Sequence, residues 1–128
     1  MVIDSSALVA MLMHETEAAG LRDRLRNGTS AIISPSSLVE SGIVLTRLIG
    51  ENAWAEMDVF LNDMGARTEP FTHEHASAAH EAFLRFGKGR HPAGLNFGDC
   101  MAYAVAKVAG LPLLYVGDDF SQTDIEPA

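Results

Sequence analysis

The sequence predicts an α/β protein in which short apolar strands alternate with amphipathic helices around a central, mainly parallel sheet. Three observations carry this expectation. Val2-Ile3, Ala31-Ile32-Ile33 and Leu113-Leu114-Tyr115-Val116 are brief apolar runs, the pattern of strands buried on both faces. The first two lead directly into capping residues, Asp4 and Ser34-Pro35, where a helix is expected to start. Helical periodicity fills the intervals between strands, and strand–helix alternation is the mark of a parallel sheet.

In chain order, Val2-Ile3 opens the sheet and Ala7 to Leu12 forms the first helix. Asp4 stands where that strand ends and the helix begins. It suits an N-cap, yet Ser5 and Ser6 would cap equally well, so a charge is not required there. His14 and Glu15 close the helix or enter a loop. Glu17 to Arg26 is a second helical piece with Ala18, Leu21 and Leu25 on one face, stopped by Asn27-Gly28. After the Ala31-Ile32-Ile33 strand, Pro35 to about Ile49 forms a helix expected to bury Leu38, Gly42, Leu45 and Ile49. Glu40 lies in its second turn, beside that apolar face.

Gly50-Glu51-Asn52 turns the chain into a helix from Ala53 to Met64, whose Trp54, Met57, Phe60 and Leu61 are expected in the core. Arg67 to Phe71 is a short strand, and Thr72 caps a helix from His73 to Phe86. His73, His75 and His80 lack the i, i+4 pairing with a carboxylate that suggests zinc, so solvent-facing or hydrogen-bonded histidines are expected. The last helix has Asn96 as its N-cap and Gly110-Leu111-Pro112 as its stop. Phe97, Met101, Ala104, Val105 and Val108 mark its apolar face. Asp99 falls in its first turn, where the helix dipole favours an acid. Leu113 to Val116 is the final strand, followed by Gly117-Asp118-Asp119-Phe120.

A chain of 128 residues, 48% hydrophobic and 20% charged, suits a single globular domain over 1–128 and excludes a disordered one. The net charge of −8 gives no whole-chain attraction to nucleic acid or acidic membranes. Cys100, the single cysteine, excludes an internal disulfide and suits a buried apolar position. Neither a signal peptide nor a membrane-length apolar run is visible, so a cytoplasmic location is expected.

The acids are the chemistry-bearing residues. Asp4, Glu40, Asp99 and the Asp118-Asp119 pair follow strands or open helices, and in such a fold those ends share one edge of the sheet. Gathering carboxylates costs repulsion, which a hard divalent cation with oxygen ligands relieves. No Ser-His-Asp or Cys-His set stands out, so metal-assisted hydrolysis is the chemistry these residues support. Lys88 and Arg90, in the basic loop Gly87-Lys88-Gly89-Arg90-His91, are the candidates for phosphate contact.

Several stretches together resemble the PIN-domain proteins of the VapC type, ribonuclease toxins of toxin–antitoxin pairs. They are Val2-Ile3-Asp4-Ser5-Ser6-Ala7-Leu8, Glu40 after Ser34-Pro35, Gly87-Lys88-Gly89-Arg90-His91, Leu95-Asn96-Phe97-Gly98-Asp99-Cys100, Leu113 through Phe120, and Thr123-Asp124-Ile125. The resemblance covers nearly the whole chain. It implies a PIN-like three-layer α/β/α sandwich and an endoribonuclease dependent on Mg²⁺ or Mn²⁺. It also implies Asp4, Glu40 and Asp99 as the acidic core, with Ser5 orienting ligands through its hydroxyl and Asn96 supporting Asp99. Many relatives carry the fourth acid where this chain has Gly117; Asp118 is the expected replacement, with Asp119 the alternative. A homodimer, a VapB-type antitoxin, and DNA contact only through that antitoxin are implied as well.

Two rival functions are set against this. A phosphoryl-transfer domain also places an acid after its first strand, but one type needs a second Asp where Ser6 stands. The other needs a Lys after a late strand, where Val116-Gly117 supplies none. A non-catalytic binding module on the same fold is the remaining alternative.

Overall fold

A computed structural model describes all 128 residues. Its elements are β1 (Val2–Ile3), α1 (Ser5–Leu12), α2 (Ala18–Asn27), β2 (Ala31–Ile33), α3 (Pro35–Ile49), α4 (Ala53–Asp63), β3 (Ala66–Thr68), α5 (His73–Phe86), α6 (Phe97–Ala109) and β4 (Leu113–Leu114). The four strands run parallel in the order β3-β2-β1-β4. Val2 is in register with Ile32 and Leu113, and Ile3 with Ile33 and Leu114.

Because side chains alternate along a strand, those two registers build two cores. Val2, Ile32 and Leu113 face α5 and α6, meeting Ala82, Phe86, Ala102 and Val105. Ile3, Ile33 and Leu114 face the other way, onto Leu8 and Met11 of α1, Leu21 of α2, Leu45 of α3 and Met57 of α4. The result is the expected α/β/α sandwich. Each fully buried Ile, Leu or Met contributes about 1.5–3 kcal/mol, so short strands suffice when both faces are covered.

The strand order also positions a crevice. From β1 the chain moves outward to β2 and β3, then returns to place β4 on the other side of β1. Ligands in open α/β sheets bind at such a reversal, beyond the carboxyl ends of the strands. Helices that follow a parallel strand start at that edge, as α1 and α3 do.

Several boundaries differ from the sequence expectation. β4 ends at Leu114 instead of Val116, because the Val116 N–H donates to Ser6 Oγ (3.0 Å) and not to a strand. β3 ends at Thr68, well before Phe71; Pro70 has no N–H to offer a ladder. α1 begins at Ser5, two residues early, because Asp4 itself is the cap. Trp54 is 46% exposed, not core: its ring lies over Gly42, where a Cβ would stand 3.0 Å from Trp54 Cε3. Leu38 is half-buried and Ile49 exposed, so α3 buries less than its periodicity suggested. His75 is the hydrogen-bonded core histidine anticipated, its Nδ1 accepting from Thr72 N (3.1 Å), while His73 and His80 face solvent. No helix is long and apolar enough to cross a membrane.

Candidate functional site

Asp4 leaves β1 in extended conformation and caps α1. Its Oδ2 accepts from Ser6 N (2.9 Å) and Ser6 Oγ (2.5 Å), and its own N–H donates to Leu114 O (2.9 Å). The Ser6 hydroxyl, which also accepts from Val116 N, thus ties the end of β1 to the exit of β4. The carboxylate is only 4% exposed. Asp99 is held by a reciprocal box at the start of α6. Asn96 N donates to Asp99 Oδ2 (2.8 Å), and Asp99 N donates to Asn96 Oδ1 (2.9 Å).

Glu40 comes from α3, whose start is set by the Ser34 cap on Ser37 N (3.0 Å) and by Pro35. Its carboxylate lies against Gly98 of α6: a Cβ there would stand 2.7 Å from Glu40 Oε2. Gly98 therefore makes room for Glu40 immediately beside Asp99.

The field at this edge is uncompensated. Burial pushes the Asp4 carboxyl up, the Ser6 hydrogen bonds pull it partly back, and the charge of Glu40 pushes it further up. Burial likewise raises Asp99, against the Asn96 N–H that lowers it, and the charges of Asp4 and Asp119 add to the rise. Every salt bridge in the protein lies elsewhere, on Asp23 or Asp124. Asp4 thus feels the charge of Glu40, Asp99 feels the charges of Asp4 and Asp119, and none of the four acids is in a salt bridge.

Asp118, the residue expected to be the fourth acid, and its alternative Asp119 are both exposed, and the Asp118 carbonyl receives Ser121 N (3.1 Å) and Ser121 Oγ (2.6 Å) in a turn. Of the pair, Asp119 is the one whose charge reaches Asp99. The hydroxyl that orients Asp4 belongs to Ser6, whereas Ser5 makes no side-chain hydrogen bond and lines a shallow cleft shared with Glu40. Once Asp4 is the N-cap, Ser6 is the second helical residue, the usual partner of a capping side chain; that spacing was the available signal. The expected basic pair separates. Lys88 lines a cleft with Asn96 and Phe97, while Arg90 turns away, its Nε donating to Leu84 O (3.2 Å) and its guanidinium over the Phe83 ring. Arg47, not anticipated, shares a cleft with Glu40 and Gly98.

No three of these groups close on a common point within ligating reach. The donor set is nevertheless all-oxygen and anionic. The bonds from Ser6 and Asn96 fall on Oδ2 of Asp4 and Asp99, leaving Oδ1 of Asp99 for another ligand. Together with the space kept open at Gly98, this chemistry fits a hard divalent cation such as Mg²⁺.

Comparisons with known proteins show the family. A family model described as the PIN domain matches residues 1–126. Ribonuclease VapC36 of Mycobacterium tuberculosis is 45% identical over 127 residues, covering 98% of this chain and 91% of that protein. Ribonuclease VapC of Mycolicibacterium smegmatis is 42% identical over 125 residues, covering 98% and 97%. Among solved structures, Mycobacterium tuberculosis VapC20, described as a sarcin-ricin loop cleaving toxin, superposes with a TM-score of 0.78 over 99% of this chain and 97% of its own. At 18% identity that likeness shows the fold alone.

Proposed function

The chain belongs to the PIN-domain family as a VapC-type endoribonuclease toxin, and on that premise we propose that Asp4, Glu40, Asp99 and Asp119 form its hydrolytic site. The observation that supports this is a set of four carboxylates at the reversal point of the sheet, none in a salt bridge, with the charge of Glu40 acting on Asp4 and those of Asp4 and Asp119 on Asp99. Like charges brought together without compensation destabilise the fold, so the arrangement calls for a bound cation, Mg²⁺ or Mn²⁺. When bound, that cation supplies Lewis-acid activation of water and neutralises charge on the phosphodiester under attack. The chain's own residues supply the rest. Ser6 and Asn96 fix the rotamers of Asp4 and Asp99, Gly98 lets Glu40 approach, and Asp119 is the exposed acid at the mouth. Lys88 is the phosphate contact of the former basic pair, with Arg47 a second.

As a VapC-type toxin the protein has RNA as substrate and an antitoxin as partner. The finer proposals are a homodimer, an antitoxin of VapB type that covers the acidic edge, DNA contact only through that antitoxin, and a cytoplasmic location. The test is cleavage of total cellular RNA in Mg²⁺, Mn²⁺ and EDTA by wild type and Asp99→Asn. Divalent-dependent cuts at discrete sites, lost in the variant, are expected. A folded, antitoxin-free protein that cuts nothing under any metal would leave the non-catalytic binding module as the reading.

A further inference from the structure

We infer that Phe97 is a stacking platform for a nucleobase of the RNA strand, seated between two phosphate contacts at Lys88 and Arg47. The inference rests on the ribonuclease reading and adds to it the residue that seats the substrate beside the acids.

Helical periodicity assigned Phe97 to the buried face of α6, and the structure places it elsewhere. As the first residue of the helix it is 79% exposed, more than any other large apolar side chain. Its ring joins none of the aromatic pairs and none of the cation–π contacts of the protein. Packing therefore gives no reason for a phenyl group here. Its neighbours do. Phe97 lines a cleft of about 700 Å³ between α5 and α6, where Lys88 supplies the positive charge. It also lines a second cleft of about 660 Å³, on the α3 side, with Glu40, Gly98 and Arg47. A flat ring thus stands between two clefts, each with one permanent cation, and one of them contains an acid of the hydrolytic site.

That order of cation, ring and cation matches the phosphate–base–phosphate repeat of a single strand. Proteins that bind unpaired RNA stack splayed bases on aromatic side chains and hold the backbone with local cations. Local cations matter more here because the net charge of −8 repels the polyanion as a whole. Continuity with the acidic site selects the occupant: a second copy of the chain seated permanently on Phe97 would cover the Glu40 cleft and shut the substrate out.

The test is binding of a single-stranded oligoribonucleotide carrying 2-aminopurine, with EDTA present so that nothing is cut. Stacking quenches this fluorophore. Wild type should quench it on binding, and Phe97→Ala and Phe97→Leu should lose the quench and bind about ten-fold more weakly. Phe97→Trp should retain both. Lys88→Ala should keep the quench and lower the salt dependence of binding by about one counterion. Because the side chain is exposed, all variants should match wild type in circular dichroism. Absence of quenching by wild type, or quenching and affinity unchanged in Phe97→Leu, overturns the inference. So does a dimer that Phe97→Ala dissociates on sedimentation while per-protomer RNA affinity stays constant, which would make the face an interface between copies. The two readings fail separately: stacking without Mg²⁺-dependent cleavage removes the nuclease, and cleavage with unaltered Phe97→Ala binding removes the platform.

Discussion

Two aspartates packed on α6 are treated in opposite ways. At the start of the helix, burial pushes Asp99 up, a backbone N–H from Asn96 pulls it down, and two further acids push it up again. Along the same helix, Asp124 of the C-terminal tail receives Tyr103 Oη at 2.6 Å, and Arg85 Nη2 and Lys107 Nζ at 3.1 Å each. Burial raises Asp124 as well, but those hydrogen bonds outweigh it and hold the carboxyl at about 2. The tail carboxylate is a finished joint: its charge is matched and it locks the tail onto α5 and α6. The edge carboxylates carry charge that nothing in the chain matches. Folding alone does not favour that, and departures from local consistency concentrate at functional sites.

The largest effect should come from neutralising one acid of each kind. Asp99→Asn retains the capping geometry and should lower the rate of RNA cleavage by about 100-fold or more, measured on a fluorogenic oligoribonucleotide. Asp124→Asn should leave it nearly unchanged. Similar losses in both would erase the distinction.

Supporting groups should sharpen the contrast with intermediate effects. Ser6→Ala removes one of the two donors on Asp4 Oδ2 and orphans Val116 N, and should reduce cleavage about ten-fold while costing about 1–3 kcal/mol in urea denaturation. Ser5→Ala should resemble wild type in both assays. Gly98→Ala places a methyl group against Glu40, whose flexible carboxylate can swing aside. Stability should stay within about 0.5 kcal/mol while cleavage falls about ten-fold, a pairing that packing damage alone does not produce.

The smallest effect belongs to the tail. Asp124 has a depressed pKa, so its stabilising contribution is complete above the ordinary value of 3.8 and is lost as pH falls toward about 2. Tyr103→Phe removes one donor and should cost about 1 kcal/mol at neutral pH and make that acid limb shallower. Cleavage should be insensitive to it.

Much of the fold was legible because two signals agreed, apolar strand runs and caps placed just behind them. Ser34 and Asn96 cap where expected, Asp4 proves to be the cap among three candidates, and α3 and α5 begin and end at the anticipated residues. The losses have physical causes. Trp54 and Phe97 obey helical periodicity, but Trp54 is covered only on its Gly42 side and Phe97 hardly at all, and periodicity cannot show which faces find a partner. Choosing between Asp118 and Asp119 depends on how the turn after β4 is wound, which adjacent identical residues do not encode. Gly98 carries no sequence signal at all, since its role is to leave space for a side chain from another helix.

Thermal unfolding of wild type and Asp4→Asn with EDTA or Mg²⁺ decides whether the edge acids are left unmatched for a cation. Burial raises the Asp4 carboxyl, so the folded state binds its proton more tightly than the unfolded chain. The linked stability is present below the unfolded pKa and lost as pH rises through the folded one. At neutral pH in EDTA, Asp4→Asn keeps the cap, sheds the buried charge and should melt a few degrees above wild type. Mg²⁺ should raise wild type by mass action and leave the variant where it was, closing the gap. A wild type that is already the more stable protein in EDTA, and indifferent to Mg²⁺, would show that the edge acids are not held for a cation.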